Sequence, residues 1–512
     1  MPLSADQAVK KVAALHKALM ARRKDVEKCD RYYRGEQPLA YASAEWSSYH
    51  AGRYKGFSDN WCGVVANSPA ERQRVGGFRL PVDDRTGTAL SADEKTLWDW
   101  WQLNDLDLQS SQGFLASIIA KRSFALVWGR SDSGEDEPVV TWEDASQMYV
   151  ETDQQDHRTR KAALKLWRED RTEYATLYLA DEVWKFQRQT TAVEVNNGRT
   201  TSGLVVPSTL SLTGHDGGWM PRSEADELWP LPNPMGVVPV VEFPNRPMLG
   251  GRPLSDITGT MAMQDAINLL WAYLFTAADY ASMPARVVMG QEPPKIPILN
   301  DQGEKVGEKA VDIRDLAQGR LLWLTGQNAK IGEFQKAQLD TFTSVIEVAV
   351  GHVAAQTRTP PHYLVSNKGL SNLSGDALKA AETGLVKKVE ESQLFLGPAV
   401  REVFRLMALA ADKPDLAKKA RLGVTQWKDA ESRSEAQLVD ALQKLKAIGF
   451  PFQWLAERYG LDQTEVTRLV QLREREAETD LFGAAESVVR DARDGTPVDD
   501  DEPAGEGEPD GS

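Results

Sequence analysis

The segment from residue 244 to residue 283 places the strongest constraint on the fold of this chain. Prolines and glycines punctuate its first part, and from Asp256 onward it is mostly apolar with scattered polar residues. Its apolar residues recur every three or four positions, as on a helix with one buried face. They are Ile257, Met261, Ile267, Leu270, Trp271, Leu274 and Phe275. Charges also fall within it, and each would cost about 2.5 to 3.5 kcal/mol at the centre of a membrane. The pattern predicts one amphipathic helix over 256–283 that does not span a membrane.

Length and charge bound the class of protein. A chain of 512 residues is too long for one hydrophobic core, so we expect roughly two to four domains. The chain has 60 basic and 75 acidic residues, a formal charge of −15. This sign is wrong for a protein that holds nucleic acid by neutralising many phosphates, so any contact with DNA should be local or transient.

Cysteine content and the first residues indicate the compartment. Cys29 and Cys62 cannot form a disulfide framework, and neither has the spacing of a metal ligand. Residues 1–7 lack a basic stretch followed by an apolar one, so we expect no signal peptide and assembly inside a cell.

The first part of the chain should be helical. Periodicity predicts a helix over 5–30 that stops at Gly35, another that begins after an Asn60 cap, and two more over 91–121, led by Ser91. Tryptophans at positions 98, 100 and 101 are compatible with either a protein interface or a helix pair buried under a sheet.

From Phe124 to Gln187 the apolar period changes to two. Six short runs read as strands, and we expect them to form one antiparallel meander. Residues 190–235 are rich in Thr, Ser, Gly and Asn and read as a hairpin with loops. Seven prolines between Pro230 and Pro253 then end this domain.

Beyond the 256–283 helix the pattern alternates. Strand-like runs such as 285–289 and 320–324 predict a small β insertion, and a second helix follows over about 336–356. A polar loop then leads to Ser374, and Asp376 opens a third long helix that Gly397-Pro398 should kink or split. Short helices should fill 399–480. Residues 494–512 contain eight acids and no base, which is typical of a disordered tail.

Signatures of catalysis are missing from the sequence. No Gly-Lys dipeptide is present for a phosphate-binding loop, the six histidines are scattered without metal-ligand spacing, and no Gly-x-Ser-x-Gly occurs. We therefore expect no enzymatic activity, no cofactor and no metal.

Several short stretches follow one another in a distinctive order. They are Tyr32-Tyr33-Arg34-Gly35, Asn60-Trp61-Cys62, Ala70-Glu71-Arg72, Gly77-Phe78, Phe243-Pro244-Asn245-Arg246, Ser255-Asp256-Ile257, Gln264-Asp265-Ala266-Ile267-Asn268, Pro360-Pro361-His362-Tyr363-Leu364, Ser374-Gly375-Asp376-Ala377-Leu378, Glu382 and Leu385. In this order, and with the succession of helix, β insertion, helix, loop and long helix, they resemble the portal proteins of long-tailed bacteriophages, especially those of actinobacterial hosts. The resemblance covers roughly residues 25–412.

The resemblance implies an α+β, mainly helical fold that assembles as a ring with an axial channel. Its implied divisions are a wing (1–255), a first stem helix (256–283), a clip (284–335), a second stem helix (336–357), a tunnel loop (358–374), a long kinked wing helix (375–412), crown helices (413–480) and an acidic disordered tail (481–512).

The resemblance also implies roles for particular residues. In the tunnel loop, the residues expected to face DNA are Arg358, His362, Tyr363, Asn367, Lys368 and Asn372. Those expected to dock partners at the clip are Arg286, Lys295, Arg314 and Arg320. Those expected to line the stem are Asp256, Gln264, Asp265, Asn268 and Asp279.

The implied function is a channel at one capsid vertex through which double-stranded DNA is packaged and ejected. The implied partners are other copies of the chain in a ring of twelve, the terminase large subunit, the head-to-tail adaptor, and the major capsid and scaffolding proteins. We expect it in the virion, in the host cytoplasm during assembly, and not in a membrane. Two alternatives remain open on the residues alone: another structural virion protein, such as a minor capsid or adaptor component, and a hydrolase with an unrecognised triad.

Overall fold

The computed structural model describes most of the chain. The described residues are 3–39, 57–81, 91–129, 137–189, 218–222, 228–282, 286–289, 295–299, 302–310, 321–324, 339–364, 375–431 and 435–494.

Four helices form the first part of the fold within the described residues. Helix α1 (Ala5–Arg34) begins with a capping box between Ser4 and Gln7 and ends at Gly35, whose φ of 73° favours glycine. Helix α2 (Trp61–Ala70) is capped by Asn60, as predicted. After strand β1 (Val75–Arg79), helices α3 (Ala92–Leu103) and α4 (Leu106–Ala120) follow, and Ser91 caps α3 in a second capping box.

The predicted strands are present, but the single meander is wrong. Strands β2 (Arg122–Gly129) and β3 (Pro138–Glu143) form a sheet with β10 (Val240–Pro244) in the order β10-β2-β3. Strands β4 (Met148–Thr152), β5 (Arg160–Glu169), β6 (Thr172–Tyr178) and β7 (Glu182–Gln189) form a second, antiparallel sheet, which β8 (Met220–Pro221) and β9 (Leu231–Pro232) join along β7. A period of two predicts strands but not their partners, and β2 pairs with a strand that lies far along the chain. Most of the predicted 190–235 hairpin lies outside the described residues.

The two sheets bury different sets of apolar side chains. Helix α1 packs its apolar face, which includes Val12 and Leu19, on the second sheet. The three tryptophans of α3 are 3%, 8% and 0% exposed, and the Trp101 ring stacks 5.2 Å from the Phe404 ring. They therefore belong to a hydrophobic core, as the interpretation of a buried helix pair predicted.

The helix, β insertion and helix succession is observed. A short 3₁₀ turn (Thr258–Thr260) leads into α5 (Met261–Ser282), and α6 (Leu339–Thr357) packs against α5. Between them, β11 (Arg286–Met289) pairs in parallel with β14 (Leu321–Leu324), and β12 (Lys295–Leu299) pairs antiparallel with β13 (Lys305–Ala310).

The third long helix is continuous. After the short helix α7 (Pro361–Leu364), α8 (Gly375–Ala410) runs through Pro398, so the helix is not split there. It contacts β10, β2 and α2, and its residues Val400, Phe404 and Met407 are part of the largest apolar core.

The last part of the chain departs from the predicted short helices. Helix α9 (Pro414–Ala420) is followed by β15 (Val424–Trp427), which pairs antiparallel with β1, and then by α10 (Glu435–Ala447), α11 (Phe452–Tyr459) and α12 (Gln463–Asp494). The predicted start of the disordered tail at residue 481 is wrong, because α12 continues to Asp494. Its Ala, Glu and Arg residues are good helix formers, and the acidic composition that predicted a disordered tail does not take this into account. None of the described helices combines the length and apolar character needed to cross a membrane.

Candidate functional site: the base of the interhelical loop

The loop that joins α6 to α8 departs from a buried turn. Thr357 is the last residue of α6, and its hydroxyl donates a 2.7 Å hydrogen bond to the Val353 carbonyl. Its Oγ1 atom also lies 2.8 Å from that of Thr359, and both threonines are buried. Between them Arg358 has a φ of 55°, a left-handed conformation that costs a non-glycine residue about 1 to 2 kcal/mol. The turn is therefore held by its surroundings.

A buried ion pair connects this turn to the start of the α5 segment. Lys388 Nζ lies 2.7 Å from Asp256 Oδ2 and donates a 3.2 Å hydrogen bond to the Thr357 carbonyl. Both charged side chains are only 3% exposed. Asp256 also accepts from Asn245 Nδ2 at 2.9 Å and lies 3.4 Å from Arg246 Nε. Burial lowers the pKa of Lys388, while Asp256 acts in the opposite direction.

This arrangement joins three segments at one point: the residues before α5, the end of α6 and the middle of α8. A buried charge is costly unless it is paired and hydrogen-bonded, and here each of the two charges has more than one partner. A shift of α6 relative to α8 would have to break at least one of these bonds.

A second cluster holds the short helix α7 at the start of the loop. Arg72 donates to Tyr363 Oη at 2.7 Å, to Glu382 Oε2 at 3.1 Å and to the Ala430 carbonyl at 3.0 Å. Tyr363 in turn donates to Glu382 Oε1 at 3.2 Å, and His362 Nε2 lies 3.5 Å from the same oxygen. Burial works to raise the pKa of Glu382, but the hydrogen bond and charge of Arg72, with Tyr363 and His362, hold it below its usual value.

These contacts give a structural role to two residues that were expected to face DNA. Tyr363 contacts Arg72 and Glu382, and His362 contacts Glu382, so both anchor the loop base; that they face DNA stays a prediction. Arg358 is exposed, with a guanidinium nitrogen 3.9 Å from Glu391 Oε2. The remaining residues expected in the loop, Asn367, Lys368 and Asn372, lie outside the described residues.

The polar residues expected to line the stem lie inside the subunit. Gln264, Asp265 and Asn268 are 1%, 7% and 4% exposed, and the Asp256 side chain is 3% exposed. Gln264 Oε1 accepts from the Trp61 amide at 2.8 Å, and Asn268 Oδ1 accepts from the Asp59 amide at 3.1 Å.

Asp265 is enclosed in a similar way. The Tyr32 hydroxyl donates to Asp265 Oδ2 at 2.8 Å, and burial raises the pKa of Asp265. For these four residues the expectation of a channel lining is corrected. Gln264 and Asn268 hold the start of α2 to α5, Asp265 holds the end of α1, and Asp256 pairs with Lys388. A backbone amide needs a partner when it is buried, which explains polar residues on an otherwise apolar face. The side chain of Asp279, in α5, is not described.

The residues expected to dock partners are only partly described. Arg286 lies in β11, and Lys295 is exposed at the start of β12. Arg314 and Arg320 lie outside the described residues. The structure therefore leaves this expectation as a prediction.

The sequence pattern did not identify two residues that are important to the site, Lys388 and Arg72. Lys388 and Arg72 each contact partners that are distant in the chain, and Arg72 and Glu382 are 310 positions apart. Arg72 and Glu382 do occur in the stretches that carried the resemblance, and this was the only signal for them. Within the described parts of the chain, no group of three or more His, Cys, Asp or Glu side chains is placed to hold a metal ion.

Comparison with known proteins decides the family. The family described as phage portal protein, SPP1 Gp6-like, matches residues 14–477. The chain belongs to this family. The portal protein of Mycobacterium phage L5 is 30% identical over 404 residues, which cover 75% of this chain and 72% of the relative. The portal protein of Mycobacterium phage D29 is 29% identical over 404 residues with the same coverage.

Membership confirms the resemblance to actinobacteriophage portal proteins and extends it. The matched range includes residues 413–477, for which the residues alone indicated little more than helices. Portal proteins are structural components of tailed-phage virions with a general role in DNA packaging. Membership of this structural family therefore favours a portal protein over the first alternative, an adaptor or minor capsid component.

Proposed function

We propose that copies of this chain assemble into a ring, which we expect to be a dodecamer, around an axial channel at one capsid vertex. Double-stranded DNA passes through this channel during packaging and ejection. The main support is the family match over residues 14–477. The observed order of α5, β insertion, α6, loop and α8 is compatible with a stem, a clip, a second stem helix, a tunnel loop and a wing helix.

We assign DNA contact to the loop after the anchored base, chiefly residues 365–374, together with Arg358. Between Thr357 and Ser374, Arg358 and Lys368 are the only Lys or Arg residues. Each neutralised phosphate adds affinity, so a channel through which DNA slides needs few such contacts. The rigid base described above gives this loop a fixed point on each subunit.

We assign partner docking to the β insertion, the proposed clip. Its strands β12 and β13 form an antiparallel pair on which Lys295 is exposed. The proposed partners there are the terminase large subunit during packaging and the head-to-tail adaptor afterwards. The proposed partners elsewhere are the major capsid and scaffolding proteins, which the ring meets as it assembles in the host cytoplasm.

Electron-microscopy class averages of the purified full chain test the ring directly. We expect round particles with a central opening and countable rotational symmetry. A stable monomer of 56.8 kDa by size-exclusion chromatography with light scattering, with no ring at any concentration, would contradict the proposal.

A further inference from the structure

A small cavity lies beside the buried ion pair of Asp256 and Lys388. Its volume is about 10 Å³, and both members of the pair line it. The lining also includes Gln73, which follows α2, and Ser392, in α8. A single water molecule needs roughly 10 to 15 Å³ and about two to four polar partners. The cavity therefore has room for one water molecule and for no larger ligand.

One polar atom in the lining has no hydrogen-bond partner among the described residues. Gln73 is 1% exposed, and its Nε2 donates a 2.7 Å hydrogen bond to Ser392 Oγ, but its buried Oε1 has no donor. Exchanging the two amide atoms leaves the same need, because Oε1 would then accept from the Ser392 hydroxyl and Nε2 would lack a partner. Buried polar atoms without a partner are rare in folded proteins. The Gln73 amide therefore indicates a bound polar ligand.

The ammonium group of Lys388 supplies the matching donor. It has three N–H bonds. One is directed to Asp256 Oδ2 at 2.7 Å, and a second donates to the Thr357 carbonyl at 3.2 Å. Gln73 Oε1 makes no direct bond to this group. A water molecule can connect the two, because it can accept from the third N–H of Lys388 and donate to Gln73 Oε1.

The charges around the cavity favour a neutral ligand. Lys388 and Arg246 are basic, whereas Asp256 and Glu391 are acidic, so the ionisable side chains of the lining balance. A bound cation would lie beside the Lys388 ammonium, and a bound anion would lie beside the Asp256 carboxylate. Like charges at such short range repel strongly where water is largely excluded. Water avoids both penalties and can donate as well as accept.

We propose that this cavity binds one water molecule that accepts a hydrogen bond from Lys388 Nζ and donates one to the side-chain amide of Gln73. The water extends the network of the Asp256–Lys388 pair to the residues that follow α2. Every group involved belongs to one subunit, so this site does not depend on ring assembly.

A structure of the full chain that resolves ordered water tests the site directly. We expect one peak of density at about 2.7 to 3.2 Å from both Lys388 Nζ and the Gln73 amide. The peak should be lost in Gln73→Met, which removes the amide and keeps a long side chain. No peak in the unmodified chain, a Gln73 amide bonded only to protein atoms, or a peak at the shorter distances of a metal ion would overturn the assignment.

Chemical denaturation gives a second readout. A shared water couples Gln73 to Lys388, so Gln73→Met should change the unfolding equilibrium constant about fivefold less in the Lys388→Met background than in the unmodified chain. Gln393→Met is the matched control, because Gln393 Nε2 is also buried without a partner but Gln393 does not line the cavity. Its effect should be equal in the two backgrounds. An equal effect of Gln73→Met in both backgrounds would also overturn the proposed bridge.

Discussion

Lys388 Nζ lies 2.7 Å from Asp256 Oδ2, although Asp256 precedes α5 and Lys388 lies in α8, which follows α6. Both side chains are almost fully buried, and Lys388 also bonds to the last carbonyl of α6. The pair therefore ties α8 to the start of α5 and to the end of α6, the two helices that we propose as the stem.

The first prediction concerns the stability contributed by this pair. Lys388→Met should lower the free energy of unfolding by about 3 to 5 kcal/mol, because it removes the buried cation of the Asp256 carboxylate and leaves only the more exposed and more distant Arg246. Combining it with Asp256→Leu should recover part of the loss. Chemical denaturation of the single and double variants measures the coupling. Lys387→Met, which removes an exposed pair with Glu390, is the matched control and should cost less than about 1 kcal/mol.

The second prediction concerns pH at the loop base. Because the pKa of Glu382 is held below its ordinary value of 4.5, this group stabilises the folded state above that value. The stabilisation should disappear as pH falls from 4.5 through the folded-state pKa. Denaturation midpoints measured across this range should fall more steeply for the unmodified chain than for Glu382→Gln. Equal slopes in the two proteins would show that Glu382 does not sense Arg72.

The third prediction separates the loop from its anchor. Deleting residues 365–373, which leaves His362 and Tyr363 in place, should preserve ring assembly but impair DNA packaging or retention in a complementation assay. Deleting 362–373 should in addition lower the melting temperature, because Arg72 loses its hydrogen bond to Tyr363 and Glu382 loses its contacts with Tyr363 and His362. Loss of rings after the shorter deletion would mean that the loop has a structural role instead.

The fourth prediction concerns the β insertion. Replacing residues 290–318 by a short Gly-Ser link removes the β12–β13 hairpin but retains β11 and β14, which pair with each other. We expect soluble oligomers of unchanged size and loss of terminase binding in a pull-down assay. Unchanged terminase binding would refute the assignment of this insertion as the docking surface.

The helices were largely predictable because their signals are local. Apolar spacing and the caps at Ser91 and Asn60 act within one or two turns, so the sequence determines where these helices begin. The glycine at position 35 ends α1 for an equally local reason, its left-handed backbone.

Partner choice was not predictable because it depends on distant segments. The pairing of β2 with β10 divides the expected meander. The pairing of β1 with β15 attaches residues 424–427 to the first part of the fold. In the same way, the resemblance implied that polar residues on α5 line a channel, but tertiary packing places Gln264 and Asn268 against the backbone amides of Trp61 and Asp59.

Sequence by itself thus determined the succession of helices and strands and, through short ordered stretches, the portal family. The tertiary structure alone decided which charges are buried together, such as Lys388 with Asp256 and Arg72 with Glu382. The physical reason is that helix periodicity and capping are properties of neighbouring residues, whereas the desolvation and pairing of a charge depend on every segment that folds around it.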